Sequence, residues 1–338
     1  MTMTQTFNSS RPARFFSRVA TAAALAVAAM CAPAHAQSDY PSKKPVTLVV
    51  PFAPGGGNDI LARAIAPRLS QLLKQTVIIE NKPGAGGNLG TEYVSRAAPD
   101  GYTLLIASNQ VTIDPALGVK AGYRIDRDFA PVGRIASVPM VLVSHNGEPY
   151  KSLPAFIGYV KANPGKVAYG SPGNGTPQHL AGEVFAATID SRMTHVPYKG
   201  TAPAITDLIG GQTQVAFATL ASVLQYIESG KLTALGIAGQ EKSAALPKVP
   251  TFGEAGLKNY EASLWYSLVV PANTPQPIIA TLNKALVEAM ANPAVDQQLV
   301  KQGFVPKPTS AEELKGLITA DLARWARVVK DNNVKVEQ

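Results

Sequence analysis

The chain has 338 residues, 46% of them hydrophobic, with 31 basic and 23 acidic side chains and a net charge of +8. That length suffices for two lobes with buried cores, and the scattered basic residues exclude a nucleic-acid footprint, which needs clustered Lys/Arg and interleaved aromatics. A single cysteine, Cys31, excludes a disulfide framework.

Residues 1–36 hold Arg11, Arg14 and Arg18 and no acid, then an alanine-rich apolar run from Val19 to Met30, then Ala34-His35-Ala36. That order reads as a cleavable export signal with cleavage after Ala36. The run is about a dozen residues, short of the ~20 that a membrane-spanning helix needs. Cys31 leaves with the signal, because the large Met30 before it does not suit lipid attachment. The remaining chain starts at Gln37, carries 28 basic against 23 acidic residues and has no cysteine. It contains no second long apolar run. A soluble periplasmic protein is expected, with a charge balance that favours anionic solutes.

From there, apolar strand-like runs alternate with helical periodicities, the pattern of α/β architecture. Val46 to Pro51 reads as a strand, followed by Ile60, Leu61, Ile65, Leu69, Leu72 and Leu73 at helical spacing. Val77 to Ile79 and Thr103 to Ala107 read as further strands. After Val138 to Val143 the rhythm repeats, with helices near 152–162, 177–188 and 203–209 and strands at Val167 to Tyr169, Thr194 to Val196 and Gln214 to Ala218. This second block is expected to be its own lobe, and Leu264 to Val270 the return crossing. The expected partition is residues 37–140 plus 266–338 for the first domain and 141–265 for the second. Thr274-Pro275 predicts a helix start, and Thr309-x-x-Glu312 overlapped by Ser310-x-x-Glu313 predicts a capping box for a last helix.

The chemistry-bearing residues lie in loops after strands. Pro51-Phe52-Ala53-Pro54-Gly55-Gly56-Gly57-Asn58-Asp59 joins a strand to a helix, and Asn81-Lys82-Pro83-Gly84-Ala85-Gly86-Gly87-Asn88 does so after the next strand. Converging backbone N–H groups and helix starts suit an anion, and ligands of open α/β sheets settle at the carboxyl ends of strands. A tight turn that needs glycine only for positive φ explains either loop alone; two in successive units weigh toward an anion site. Neither is a nucleotide loop: the first has no Gly-Lys-Ser/Thr ending, and Leu89 stands where a dinucleotide fingerprint has its third glycine. In the second block, Gly170-Ser171-Pro172-Gly173-Asn174-Gly175-Thr176-Pro177-Gln178-His179 and Tyr198-Lys199-Gly200-Thr201 offer hydroxyls and amides, as does Thr219. For Ser171, Thr176 and Thr201, helix capping competes with ligand contact. His145, His179 and His195 lack the i, i+4 spacing of a helical metal pair. There is no Gly-x-Ser-x-Gly elbow. A hydrolase triad drawn from distant residues stays open as an alternative, and no cofactor or metal is expected.

Several of these segments, taken in order, resemble a known family: Pro51-Phe52-x-x-Gly55-Gly56-x-x-Asp59-x-x-x-Arg63, Asn81-Lys82-Pro83-Gly84-Ala85-Gly86-Gly87, Pro99-Asp100-Gly101-Tyr102-Thr103-Leu104-Leu105, Gly173-Asn174-Gly175-x-x-Gln178-His179-Leu180, Val196-Pro197-Tyr198-Lys199-Gly200 and Gly210-Gly211-Gln212. The chain is similar to substrate-binding proteins of the tripartite tricarboxylate transporter type, the Bug family of periplasmic receptors. The resemblance implies a two-domain "Venus flytrap", each domain a mixed sheet flanked by helices, that captures a small organic carboxylate and is not an enzyme. By the same resemblance, backbone and bridging waters of the glycine-rich loops hold the carboxylate. Phe52, Gly56, Asn58, Ala85 and Gly86 would form that side, and Asn109, Ser171, Thr176, Tyr198 and Thr219 would face it. Pro177 stands where a small hydroxyl residue is frequent in the family, and Thr219 where Asn or Asp is common. The implied partners are transporter membrane subunits or, in a sensing role, a two-component kinase, with the receptor itself a monomer.

Overall fold

A computed structural model describes residues 1–6, 40–258, 260 and 262–331. The expected export signal falls mostly on residues 7–39, outside the described residues. Tyr40–Gln338 forms a unit of its own, and everything below concerns that unit.

Strand β1 (Val46–Val50) leads through the first glycine-rich loop into α1 (Gly57–Leu73), whose Leu61, Ile65, Leu69 and Leu73 are buried at helical spacing. Next come β2 (Val77–Asn81), a 3₁₀ turn at Ala85–Gly87, α2 (Asn88–Ser95), β3 (Thr103–Ser108), and the short helices α3 (Gln110–Ile113) and α4 (Ile125–Asp128). β1 pairs in parallel with both β2 and β3.

The expected strand at Val138 to Val143 is the far part of a 17-residue strand, β4 (Phe129–His145). β4 runs antiparallel to β9 (Ser263–Pro271) as far as Pro139, opposite Ser263. From Met140 on it pairs instead with β7 (Val215–Thr219) and β8 (Leu232–Ile237). Pro139 has no amide hydrogen for a ladder, so a change of partner there leaves no backbone donor unmet.

In the second block, α5 (Leu153–Ala162), β5 (Ala168–Ser171), α6 (Pro177–Thr188), β6 (Thr194–Pro197), α7 (Thr201–Ile209) and α8 (Leu220–Glu228) complete the order, with β5 parallel to β6 and β7. The strand order is β2-β1-β3-β9-β4-β7-β5-β6, with β8 and β10 (Val305–Pro306) pairing β4 off that path. Phe156, Phe185, Phe217, Phe252 and Tyr260 pack as one aromatic group in this half.

The C-terminal helices α9 (Gln276–Met290), α10 (Pro293–Lys301) and α11 (Ala311–Asp331) return to the first half, α9 and α10 against α1 and α11 against α3 and β4. The capping box forms at Ser310 and Glu313, through Glu313 N–H to Ser310 Oγ (3.2 Å) and Ser310 N–H to the Glu313 carboxylate (2.8 Å). Thr309 instead accepts from the Arg134 amide. Thr274 does not cap α9 either; its hydroxyl donates to the Pro271 carbonyl and the helix begins at Gln276. Among the described residues no helix is long and apolar enough to cross a membrane.

Candidate functional site

The carboxyl ends of the two parallel strand sets meet, and the loops that follow them touch. A Cβ on Gly56 would lie 3.0 Å from Thr201 Oγ1, and one on Gly55 3.5 Å from Ala202 Cβ. Gly86 has φ +63, and a Cβ there would overlap the Asn174 carbonyl oxygen. Glycine is required twice over at Gly86, for its backbone conformation and for this close approach.

Asp59 holds the two glycine-rich loops in register. Its Oδ2 accepts from the Gly55 amide (3.0 Å) and Arg63 Nε (2.9 Å), and its Oδ1 from Asn81 Nδ2 (3.0 Å). Asn81 Nδ2 also donates to the Phe52 carbonyl at 3.0 Å, so the start of the second loop is tied to the first. Burial opposes the Asp59 charge, yet hydrogen bonds from Arg63, Gly55 and Asn81 outweigh it and hold the carboxyl below its ordinary range. The spacing Asp59-x-x-x-Arg63 thus serves as a lock between the two loops.

The opposing loop is organised from within its own half. Thr176 caps α6, accepting from His179 N–H and donating to the Gly173 carbonyl at 2.8 Å. Ser171 Oγ lies 2.6 Å from His195 Nε2, and also bonds the Gly173 amide and carbonyl. The His179 and His195 rings stack at 3.7 Å. Burial pushes His195 down to about 4; burial and the neighbouring His195 push His179 down to about 3, so both are neutral at pH 7. His179 Nδ1 accepts from the Gly175 amide. Among the described residues no carboxylate bonds the other nitrogen of His195, so the Ser171–His195 pair is not extended into a triad.

Between the loops lie two chambers that share Phe52 and Pro172. The outer one, about 440 Å³, is lined by the second glycine-rich loop from Gly84 to Asn88, by Val119 and Lys120, and by the loop tips around Asn174 and Lys199. The inner one, about 10 Å³, is bounded by Gly56, Asn58, Ser108, Gln178, Thr201 and Tyr266, with further lining that includes Gly57 and Leu264.

Of the residues named from sequence, Phe52 lines both chambers, Gly56 and Asn58 the inner one, and Ala85, Gly86 and Tyr198 the outer one. Asn58 gives its amide to the Ile106 carbonyl (3.0 Å), and Tyr198 gives its hydroxyl to Asp207 (2.8 Å). Ser171, Thr176 and Thr219 are buried just behind, with their hydroxyls engaged in their own half; Thr219 donates to Ser222. Asn109 lines a larger groove of about 870 Å³ between α6 and α11, which shares Pro177 with the inner chamber. Lys82 is turned away, paired to Glu80 at 2.7 Å and lying over the Tyr93 ring. Sequence reasoning missed Lys120, which lies in a loop without a motif, and Tyr266, hidden in an apolar run that reads as core.

The profile of the family described as tripartite tricarboxylate transporter family receptor matches residues 61–334. Among solved structures, the periplasmic binding protein BugD is 33% identical over 87% of this chain and 99% of its own, with a TM-score of 0.84. MatC from Rhodopseudomonas palustris, solved with bound malate, is 34% identical over 85% of this chain and 99% of its own, with a TM-score of 0.82. An R. palustris protein solved with adipate is 32% identical over 88% of this chain and 99% of its own, with a TM-score of 0.85. These neighbours are two-domain periplasmic binding proteins, and the mixed sheet with flanking helices seen here is their α/β fold.

Proposed function

The chain belongs to the tripartite tricarboxylate transporter receptor family, whose members are periplasmic solute-binding proteins, and from that premise we propose that it captures a small organic carboxylate between its facing loops and delivers it to the membrane subunits of such a transporter. The observation that carries the reading is the close meeting of two glycine-rich helix starts with the polar loops opposite, Gly86 against Asn174. α1 begins at Gly57 with no side-chain cap on Gly56, so its first amides are available to an anion. The loops contain no arginine; backbone dipoles at the helix starts supply partial positive charge, beside Lys120 and Lys199 in the lining of the outer chamber. The outer chamber of about 440 Å³ is of the size that holds a small solute, roughly 300–1,000 Å³.

The ligands of the two R. palustris relatives, malate and adipate, are dicarboxylates, and this chain is assigned the same broad class. The ligand-binding set is Phe52, Gly56, Asn58, Ala85, Gly86 and Tyr198, with Ser171, Thr176 and Thr219 shaping the opposite wall. Asn109 belongs to this set only if the lobes bring its groove into the cleft. The partition into 37–140 with 266–338 against 141–265 would put the hinge near the change of partner at Pro139–Met140 of β4 and near the start of β9.

The test begins with protein recovered from the periplasm, whose intact mass should place its first residue at Gln37. A thermal-shift series then sets malate, adipate and related carboxylates against their neutral amides. Ligand that binds only the folded state raises the midpoint by mass action. The acids should raise it and the amides should not; no shift with any carboxylate at millimolar concentration would refute the reading.

A further inference from the structure

The inner chamber is closed by a residue that belongs to neither set of loops. Tyr266 lies on β9, between β3 and the first part of β4, and is completely buried. Its ring packs edge-on to Phe304, while its hydroxyl reaches the first residue of α1: a Cβ on Gly57 would overlap that oxygen. Gly57 is therefore glycine for space, since its φ is not in the left-handed region. The hydroxyl makes no hydrogen bond of good geometry among the described residues, although the Thr219 hydroxyl lies close enough to pull its pKa down against the effect of burial. Thr219, its polar neighbour at Gly57, directs its own hydrogen to Ser222.

A buried hydroxyl without a partner costs roughly 1–3 kcal/mol, and such groups in native proteins call for an explanation. Burial raises the Tyr266 phenol well above its ordinary value, so it stays a neutral donor at any pH the protein meets. Beside it the amides that open α1, a 17-residue helix without a side-chain cap, supply partial positive charge. The space these groups enclose, about 10 Å³, is at the lower limit of what admits a single water-sized atom, about 10–15 Å³.

We propose that this chamber is an oxygen hole in which Tyr266 donates its hydroxyl hydrogen to one oxygen of the bound carboxylate, making β9 a direct reader of the ligand. The proposal rests on the carboxylate reading above. It explains why a tyrosine rather than phenylalanine stands at this buried position, and why the helix start against it is a glycine.

Tyr266→Phe keeps the ring and its packing on Phe304 and removes only the hydroxyl. The experiment is calorimetric titration of wild type and Tyr266→Phe with malate and with adipate, alongside thermal melting without ligand. Loss of a hydrogen bond to a charged group should weaken binding ten- to hundredfold. The ligand-free midpoint should stay the same or rise, because an unmet buried polar group has been removed. Wild-type binding of either acid with Tyr266→Phe binding within twofold overturns the oxygen hole and leaves the carboxylate reading standing. So does a loss of affinity matched by a lowered ligand-free midpoint, the mark of a merely structural role. If wild type binds neither acid, while also failing the wider carboxylate series, the carboxylate reading falls and this inference with it. If a bridging water, and not the ligand, takes the hydroxyl, Tyr266→Phe weakens malate and adipate by less than about tenfold, and any loss short of that overturns the proposal.

Discussion

At the scale of single residues, charge and backbone make opposite forecasts for how an anion is held. Lys82 is committed to Glu80 and the Tyr93 ring, and Lys199 is an exposed residue at the rim of the outer chamber. Exposed ion pairs contribute about 0.2–1 kcal/mol. Lys82→Ala and Lys199→Ala should therefore bind the best carboxylate within about fivefold of wild type, a difference of roughly 1 kcal/mol. Gly86→Val should fold yet lose more than about a hundredfold, since its Cβ meets the Asn174 carbonyl and its φ of +63 disfavours a branched side chain. Calorimetric titration of the three decides between backbone and side chain; a hundredfold loss in either lysine variant beside a normal Gly86→Val would point to the side chain.

At the scale of elements, the end of α3 holds a buried acid against the opposite half. Asp114 accepts from Gln110 (3.2 Å) and Tyr123 (3.2 Å), neither of them basic, and its other oxygen has no partner among the described residues. That oxygen would stand 3.1 Å from a Cβ on Gly175. Burial drives the carboxyl up to about 7, against the pull of hydrogen bonds from Tyr123, Gln110 and Asn88. A group whose folded pKa is raised binds more protons folded than unfolded, so the stability it contributes is complete below the ordinary value near 3.8 and is lost as pH rises through about 7. Asp114→Asn mimics the protonated acid. Its melting midpoint should exceed that of wild type at pH 8 by several degrees and approach it at pH 5. Equal increments at the two pH values would show that the carboxyl does not titrate in this range.

For the molecule as a whole, β4 pairs with strands of both halves, and the glycine-rich loops of one half press on the polar loops of the other. Contacts made only in the closed arrangement let a ligand draw the equilibrium toward closure. Small-angle scattering should show a smaller radius of gyration with saturating malate for wild type. Gly86→Val should not contract, because the contact it blocks lies between the halves. An unchanged wild-type radius at saturation would mean a rigid pocket.

Residue order alone determined the α/β alternation, the buried helical stripe Leu61, Ile65, Leu69 and Leu73, the Ser310–Glu313 cap and the position of both glycine-rich loops, because periodicity and turn chemistry are local properties that each segment carries with it. Tertiary structure alone decided which loops meet. Gly86 against Asn174 joins segments nearly ninety residues apart, a pairing that chain topology produces and no local pattern encodes. It also paired Lys82 with Glu80 and set Lys120 in the lining of the outer chamber. Tyr266 is the clearest case. In sequence it is one apolar residue of a crossing strand, and only the register of β9 against β3 and β4 turns its hydroxyl onto the start of α1, because which face of a strand is wet, dry or lined with amides depends on what packs against it.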